Sequence, residues 1–140
     1  MVEYWGYHLT LNVKACDIIK ANDSKYIKSF VKQLVKDIDM TAFGPCQTQH
    51  FSEKEFKEFE AGKGGWSVFQ YLVTSNITAH FIDESGDCYF DVFSCKEFDP
   101  SIVVALFEKW FAPEFIDYAM IKRNTKVTLW KKLKHFLKNL

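Results

Sequence analysis

The stretch Ser67–Cys95, SVFQYLVTSNITAHFIDESGDCYFDVFSC, decides the fold because it holds three short apolar runs close together. The runs cover residues 67–73, 77–82 and 88–93, and their aromatic and β-branched content is typical of strands. Glu84-Ser85-Gly86-Asp87, between the last two runs, has the composition of a hairpin turn. The stretch therefore predicts antiparallel strands.

Helices are predicted on both sides of this stretch. Asp23 or Ser24 can cap a helix N-terminus, and Pro100 fits the first turn of a second helix. In each segment apolar residues recur at three- and four-residue steps, as in helices that pack one face on a core. These residues are Tyr26, Ile27, Phe30, Val31, Leu34, Val35 and Ile38 in the first, and Ile102, Val103, Leu106, Phe107, Trp110 and Phe111 in the second.

Further strands are predicted at residues 7–13 (YHLTLNV), at residues 116–121 (IDYAMI), and after Met40 with a break near Gly44-Pro45. This order of elements indicates an α+β fold, a two-layer sandwich with an antiparallel sheet and helices packed on one face. The other face is left for a partner or a substrate. Its aromatic strand residues favour a homodimer.

Composition narrows the class of protein. A chain of 140 residues can form one domain with its own core, and 18 basic against 18 acidic residues give no reason to expect nucleic acid as a partner. We expect a cytoplasmic protein, since no run of 18 apolar residues is present and the start, MVEYWGYHL, lacks signal-peptide character. Four cysteines without a CxxC pair predict free thiols, and the histidine spacing predicts no metal site.

Several chemically capable residues share the same stretch. His80 follows Ser75 by five residues, Cys95 follows it by twenty, and Ser67 precedes it by eight. Taken singly, a strand serine is usually only hydrogen-bonded, and a lone cysteine is usually a small buried hydrophobe. The combination is what indicates a reactive site.

From Gly6 to Arg123 the chain resembles the S-adenosylmethionine decarboxylases of the short bacterial and archaeal type, which make a pyruvoyl cofactor from an internal serine. Gly6-Tyr7-His8-Leu9 and Cys16-Asp17 are similar to the family's opening, and residues 89–95 (YFDVFSC) to a later segment of the family. Five positions fall at the family's intervals without a gap: Ser67, Ser75, His80, Glu84 and Cys95.

The resemblance implies how the chain would process itself. The Ser75 hydroxyl would attack the carbonyl of Thr74, the chain would break between these two residues, and Ser75 would become the pyruvoyl group that forms a Schiff base with substrate. His80 would assist processing, and Ser67 would assist processing or catalysis. For His80 to reach Ser75, we expect the chain to bend near Asn76.

The resemblance also implies how a substrate would be bound and converted. Cys95 would be the proton donor, and Glu84 would hold the ribose hydroxyls of a nucleoside. Phe51, Phe81 and Tyr7 are candidates to stack on adenine. The expected small-molecule substrate is S-adenosylmethionine, whose product is the aminopropyl donor for spermidine synthesis.

The chain departs from the family at the residues around Ser75. The family has Glu-Ser-His there, whereas this chain has Thr74-Ser75-Asn76. Retained reactive groups with changed flanks would suit a shifted substrate preference, so arginine or ornithine is an alternative substrate. An unprocessed homologue kept for binding is a third interpretation.

Residues 1–124 are interpreted as the decarboxylase-like domain and residues 125–140 as a C-terminal basic amphipathic helix extension. Its apolar residues fall on one helical face and its lysines mostly elsewhere. The apolar set is Trp130, Leu133, Phe136, Leu137 and Leu140. Packing of this face on the domain or on a second subunit is favoured over contact with an anionic membrane.

Overall fold

The computed structural model describes residues 5–57, 62–124 and 129–140. Within them, six strands form one antiparallel sheet in the order β2-β3-β4-β5-β1-β6. The strands are β1 (Gly6–Lys14), β2 (Gln47–Phe51), β3 (Gly65–Leu72), β4 (Ser75–Ile82), β5 (Cys88–Ser94) and β6 (Phe115–Arg123). The antiparallel pairing of β4 with β3 on one side and β5 on the other confirms the antiparallel strands predicted for residues 67–95.

The helices in the described residues are α1 (Ile18–Ala21), α2 (Ser24–Asp37), α3 (Glu53–Phe56), α4 (Pro100–Phe111) and α5 (Leu129–Lys138). The helices α2 and α4 begin at the caps predicted for them. The Asp23 carboxylate accepts from the backbone N–H groups of Lys25 and Tyr26 at the start of α2. At the start of α4, Asp99 accepts from the Ser101 N–H, and Pro100 occupies the first turn.

The core lies between the sheet and the long helices α2 and α4. Phe30 of α2 is fully buried and its ring centroid lies 5.7 Å from that of Phe90 in β5. The same ring lies 5.0 Å from Phe107 and 5.0 Å from Phe111, both in α4. Edge-to-face aromatic contacts of this kind stabilise a core beyond the burial of area alone. The α+β class with helices packed on one face is confirmed.

The opposite face of the sheet, here called the open face, carries residues that alternate with those of the core. It includes Ser67, His80 and Asp91, together with exposed apolar side chains. Tyr71, Tyr89 and Ile121 keep 52%, 54% and 48% of their surface exposed, respectively. The free face expected from the sequence is therefore present, with aromatic residues on it.

The strand expected after Met40 is present in two parts, with the break near Gly44-Pro45 where the sequence predicts it. Ala42 makes only an isolated bridge to Leu72, and the continuous strand β2 begins at Gln47. Gly44, at a φ of 72°, and Pro45 interrupt the segment between them. Among the described helices, none is long and apolar enough to cross a bilayer.

Candidate active site

Ser75 is the first residue of β4, directly after the hairpin turn that follows β3. Its hydroxyl donates to the Ser94 hydroxyl at 3.3 Å and accepts from the Cys95 backbone N–H, also at 3.3 Å. Ser94 is fully buried, whereas Cys95 is exposed. The fold thus brings together Ser75 and Cys95, which are twenty residues apart in sequence.

Thr74 is the second residue of the turn and has a left-handed backbone, with φ at 61°. Leu72 pairs with Ser75, so the turn has only two residues, and the turn types favoured at such hairpins have positive φ at one or both of them. Glycine or asparagine usually fills that position, and a β-branched residue there is strained. The peptide bond of Thr74 with Ser75 is therefore next to a strained residue.

Ser67 and His80 form a second pair, on the open face. They lie opposite each other in the β3–β4 ladder, and the Ser67 hydroxyl is 3.1 Å from His80 Nδ1. His80 Nε2 lies 2.7 Å from the carbonyl oxygen of Lys63. Because a carbonyl can only accept, Nε2 carries the hydrogen, and in the neutral ring Nδ1 is the acceptor for the serine proton. His80 can act as a base through Nδ1.

The two pairs are separate within one chain, and the bend expected near Asn76 is wrong. Asn76 pairs in regular register with Tyr71 on one side and Phe93 on the other. At roughly 3.3 Å per residue, Ser75 and His80 are about 16 Å apart along the strand and on opposite faces. The strand stays straight because it is hydrogen-bonded along both edges.

Glu84 lies in the loop between β4 and β5, at the same end of the sheet as His80. Its carboxylate is 3.5 Å from Lys63 Nζ, and the side chain keeps 75% of its surface exposed. Such exposed ion pairs contribute little to stability, so Glu84 can exchange Lys63 for another partner. Lys63 also lines a cavity of about 600 Å³, with Phe51, Phe56 and Lys57 among its walls.

The three candidates for adenine stacking are placed differently. Phe51 is 37% exposed and contributes to this cavity. Phe81 is fully buried and stacks on Phe107 in the core, so it cannot touch a ligand and that prediction is wrong. Tyr7 is half-buried against the core. Phe51 alone of these three lies at a cavity.

Other polar contacts near the site are not predictable from the sequence. Ser94 supports the Ser75 hydroxyl, and His50 Nε2 lies 2.6 Å from Asp83 Oδ2. The His50 ring also packs on Trp66, with centroids 4.9 Å apart. Spacing could not reveal the pair with Asp83, because His50 is on β2 and Asp83 follows β4. Only the β2-β3-β4 order brings them together.

Two of the cysteines are held as neutral thiols. Burial, with a further contribution from Asp87, raises the pKa of Cys16 to about 12. Burial also raises the pKa of Cys88 well above its usual value. Both belong to the core, whereas Cys95 is at the surface beside Ser75. In the described parts of the chain, no group of three or more metal-ligating side chains is placed to hold a metal ion.

The fold and the site define an α+β protein with a serine at a strained hairpin turn and a surface thiol beside it. Residues 7–124 match the family model for S-adenosylmethionine decarboxylase, and the chain belongs to this family.

Individual relatives agree with the family assignment. The S-adenosylmethionine decarboxylase proenzyme of Clostridium botulinum strain Hall is 28% identical over 105 residues, which are 74% of this chain and 81% of the relative. That of strain Loch Maree is 27% identical over the same shares. The crystal structure of the adenosylmethionine decarboxylase from Aquifex aeolicus superposes with a TM-score of 0.67, at 18% identity, covering 91% of this chain and 97% of that one. This last similarity shows the fold alone.

Proposed function

We propose that the chain is a self-processing S-adenosylmethionine decarboxylase that cleaves itself between Thr74 and Ser75. One observation carries this proposal: a serine hydroxyl follows a strained peptide unit at a hairpin turn and contacts the Cys95 backbone N–H. The relatives are proenzymes by name, which supports the same interpretation. The product would be the aminopropyl donor for spermidine synthesis, made in the cytoplasm.

The processing chemistry uses atoms of the chain itself. Ser75 Oγ attacks the Thr74 carbonyl carbon, its proton passes to the Ser75 nitrogen, and the C–N bond breaks to leave an ester. Loss of the Ser75 Cα proton then expels the Thr74 carboxylate and leaves a dehydroalanine. Its imine form takes up water and releases ammonia. The resulting chains are residues 1–74 and residues 75–140, the second beginning with pyruvoyl.

The surroundings of Ser75 are suited to a pyruvoyl group at that position. The Ser75 hydroxyl has a donor beside it in the Cys95 N–H, and the half-buried strand end is next to the surface, so a small substrate can approach. A pyruvoyl group supplies a carbonyl that holds the substrate amine and takes up electrons from the breaking bond to carbon dioxide. Cys95, whose backbone N–H contacts the Ser75 hydroxyl, would deliver the proton that replaces the carboxylate.

The base for processing is proposed to come from a second chain. His80 cannot reach Ser75 of its own chain along a straight strand, yet its Nδ1 is set up as an acceptor. The exposed Tyr71, Tyr89 and Ile121 give the open face a surface on which a second copy can pack. In such a homodimer, the Ser67–His80 pair of one chain would serve the Ser75–Cys95 end of the other.

Substrate selection is proposed to depend on the cavity near His80. Glu84 would leave Lys63 to accept hydrogen bonds from two ribose hydroxyls, and Phe51 would stack on the base. A nucleoside part is what these groups would recognise. Arginine and ornithine have no ribose, so their turnover would not depend on Glu84.

Intact mass spectrometry of the purified protein tests the proposal. We expect two fragments that meet between Thr74 and Ser75, with pyruvoyl at the new N-terminus, and a full-length chain for Ser75→Ala. Ser29→Ala, which removes an exposed hydroxyl on α2, is the matched control and should cleave like the wild type. A wild-type chain that stays whole after long incubation would leave a binding homologue instead.

If cleavage occurs, carbon dioxide release should be measured from S-adenosylmethionine, arginine and ornithine in parallel. We expect release from S-adenosylmethionine, with KM raised in Glu84→Gln. Release from arginine or ornithine that is indifferent to Glu84→Gln would assign the other substrate class.

A further inference from the structure

The helix α5 lies beyond residues 7–124, the part of the chain that matches the family, and the apolar side chains of one face are exposed from Leu133 onward. Leu133, Phe136 and Leu137 project from one side of it, with exposed fractions of 45%, 61% and 57%. Every side chain from Lys131 to Leu140 is exposed. The expectation that this face packs on its own domain is therefore wrong for Leu133, Phe136 and Leu137, whose side chains are open to solvent.

The polar side of α5 is strongly basic. Lys131, Lys132, Lys134 and Lys138 fall outside the apolar stripe, and residues 129–140 include no Asp or Glu. The whole chain has a formal net charge of zero, so this positive charge is a local feature and not part of a general basic surface. A net positive helix at one end of a neutral protein is suited to an anionic partner.

We propose that α5 docks on an anionic lipid surface and lies parallel to it. Leu133, Phe136 and Leu137 would enter the boundary between headgroups and acyl chains, while the lysines would contact lipid phosphates. A helix with a lysine-rich polar face and leucine and phenylalanine opposite is the pattern that binds in this way. Ten residues rise about 15 Å, which is too short to cross a bilayer but sufficient to lie on one.

The positive charge of α5 favours a lipid surface over a second copy of α5 as its partner. Two such helices packed face to face would bring eight lysines together without a single acidic residue from either. A phospholipid surface instead offers many phosphates and an apolar layer directly beneath them. In the proposed homodimer two α5 helices could bind one surface, which would strengthen a weak single contact.

Co-flotation of the full-length protein with vesicles tests this proposal. We expect binding to phosphatidylcholine vesicles that contain about one third phosphatidylglycerol, little binding to phosphatidylcholine alone, and release by high salt. The double variant Phe136→Gln/Leu137→Gln should lower binding at least about tenfold, because it removes the apolar contact and keeps the charge. Lys132→Gln/Lys138→Gln should also lower it, by roughly tenfold.

Ile19→Gln is the matched control, since Ile19 is an apolar residue on α1 with 83% of its surface exposed. It should bind vesicles like the wild type. Failure of the wild type to float, equal binding to neutral vesicles, or unchanged binding of the Phe136/Leu137 variant would each overturn the proposal. If that variant instead alters sedimentation while vesicle binding stays the same, α5 covers a second copy of the chain. Far-ultraviolet circular dichroism verifies that each variant is folded.

Discussion

The backbone of Thr74 is in a strained conformation, and this residue lies beside the bond that is proposed to break. A β-branched residue in the left-handed region costs roughly 1–2 kcal/mol relative to the right-handed one, and the two-residue turn imposes it here. The Thr74 hydroxyl donates to the Val73 carbonyl at 2.6 Å and so helps to hold the turn. After the proposed cut, Thr74 would be a chain end and could relax.

Thr74→Gly should therefore stabilise the uncut protein. In a Ser75→Ala background, where no cleavage occurs, we expect the free energy of unfolding to rise by about 1 kcal/mol, because glycine adopts positive φ without penalty. Urea denaturation measures it. Val73→Gly is the control, since Val73 in the same turn has negative φ, and it should not stabilise. A lower stability for Thr74→Gly would mean that the turn is not strained.

Sequence intervals identified residues of the candidate site better than they identified its geometry. Ser67 and His80 do contact each other, as do Ser75 and the Cys95 backbone. What the intervals could not show is whether residues five apart meet, because this depends on hydrogen bonds from β3 and β5 that keep β4 straight. Polar partners such as Ser94 have no local signal either.

At the scale of elements, the β3–β4 hairpin positions both pairs of reactive residues. It ends in the Val73-Thr74 turn on one side, and on the other side Gly65 pairs with Ile82. A Cβ at Gly65 would overlap the backbone carbonyl oxygen of Phe81. The two strands can approach this closely only because residue 65 has no side chain.

Gly65→Ala should consequently destabilise the hairpin and disturb the Ser67–His80 pair two residues away. We expect a loss of about 2 kcal/mol or more in the free energy of unfolding, because backbone atoms must move apart. Gly6→Ala is a matched control, since its added Cβ would meet the Phe93 ring, a side chain that can turn aside. Equal losses in the two variants, measured by urea denaturation in the Ser75→Ala background, would contradict this account.

Elements with strong periodicity were predictable and weakly patterned ones were not. The helix α2 is predicted by the apolar stripe of Ile27, Phe30, Val31 and Leu34, and its start is predicted by Asp23. The bounds of β2 have no clear signal in the sequence, because it is an edge strand whose residues, QTQHF, are mostly polar and at least partly exposed. An amphipathic pattern predicts a helix but not what packs on its apolar face. The pattern of residues 126–140 therefore predicts α5 but not the exposure of its apolar side chains.

At the scale of the whole molecule, the separation of Ser75 from His80 leads to a test of two-chain assembly. A His80→Ala chain keeps Ser75 but lacks the base, and a Ser75→Ala chain keeps the base but lacks the serine. If the base acts between chains, a mixed dimer contains one complete site.

Co-expression of the two variants should restore cleavage of the His80→Ala chain, which alone should remain largely uncut. Mass spectrometry with a tag on one chain identifies the cut product. A Ser75→Ala/His80→Ala partner is the control and should restore nothing. If the His80→Ala chain stays uncut beside a Ser75→Ala partner, the base does not come from the second chain.

The strand order has a consequence for the molecule after the proposed cut. Residues 1–74 contain β1, β2 and β3, and residues 75–140 contain β4, β5 and β6. Because β1 lies between β5 and β6, the two pieces are interleaved and cannot separate while the sheet is intact. Unfolding would then become a dissociation, and recovery would require two different polypeptides to meet. Refolding of the sheet in the mature protein would thus depend on concentration, whereas a precursor chain carries all six strands itself.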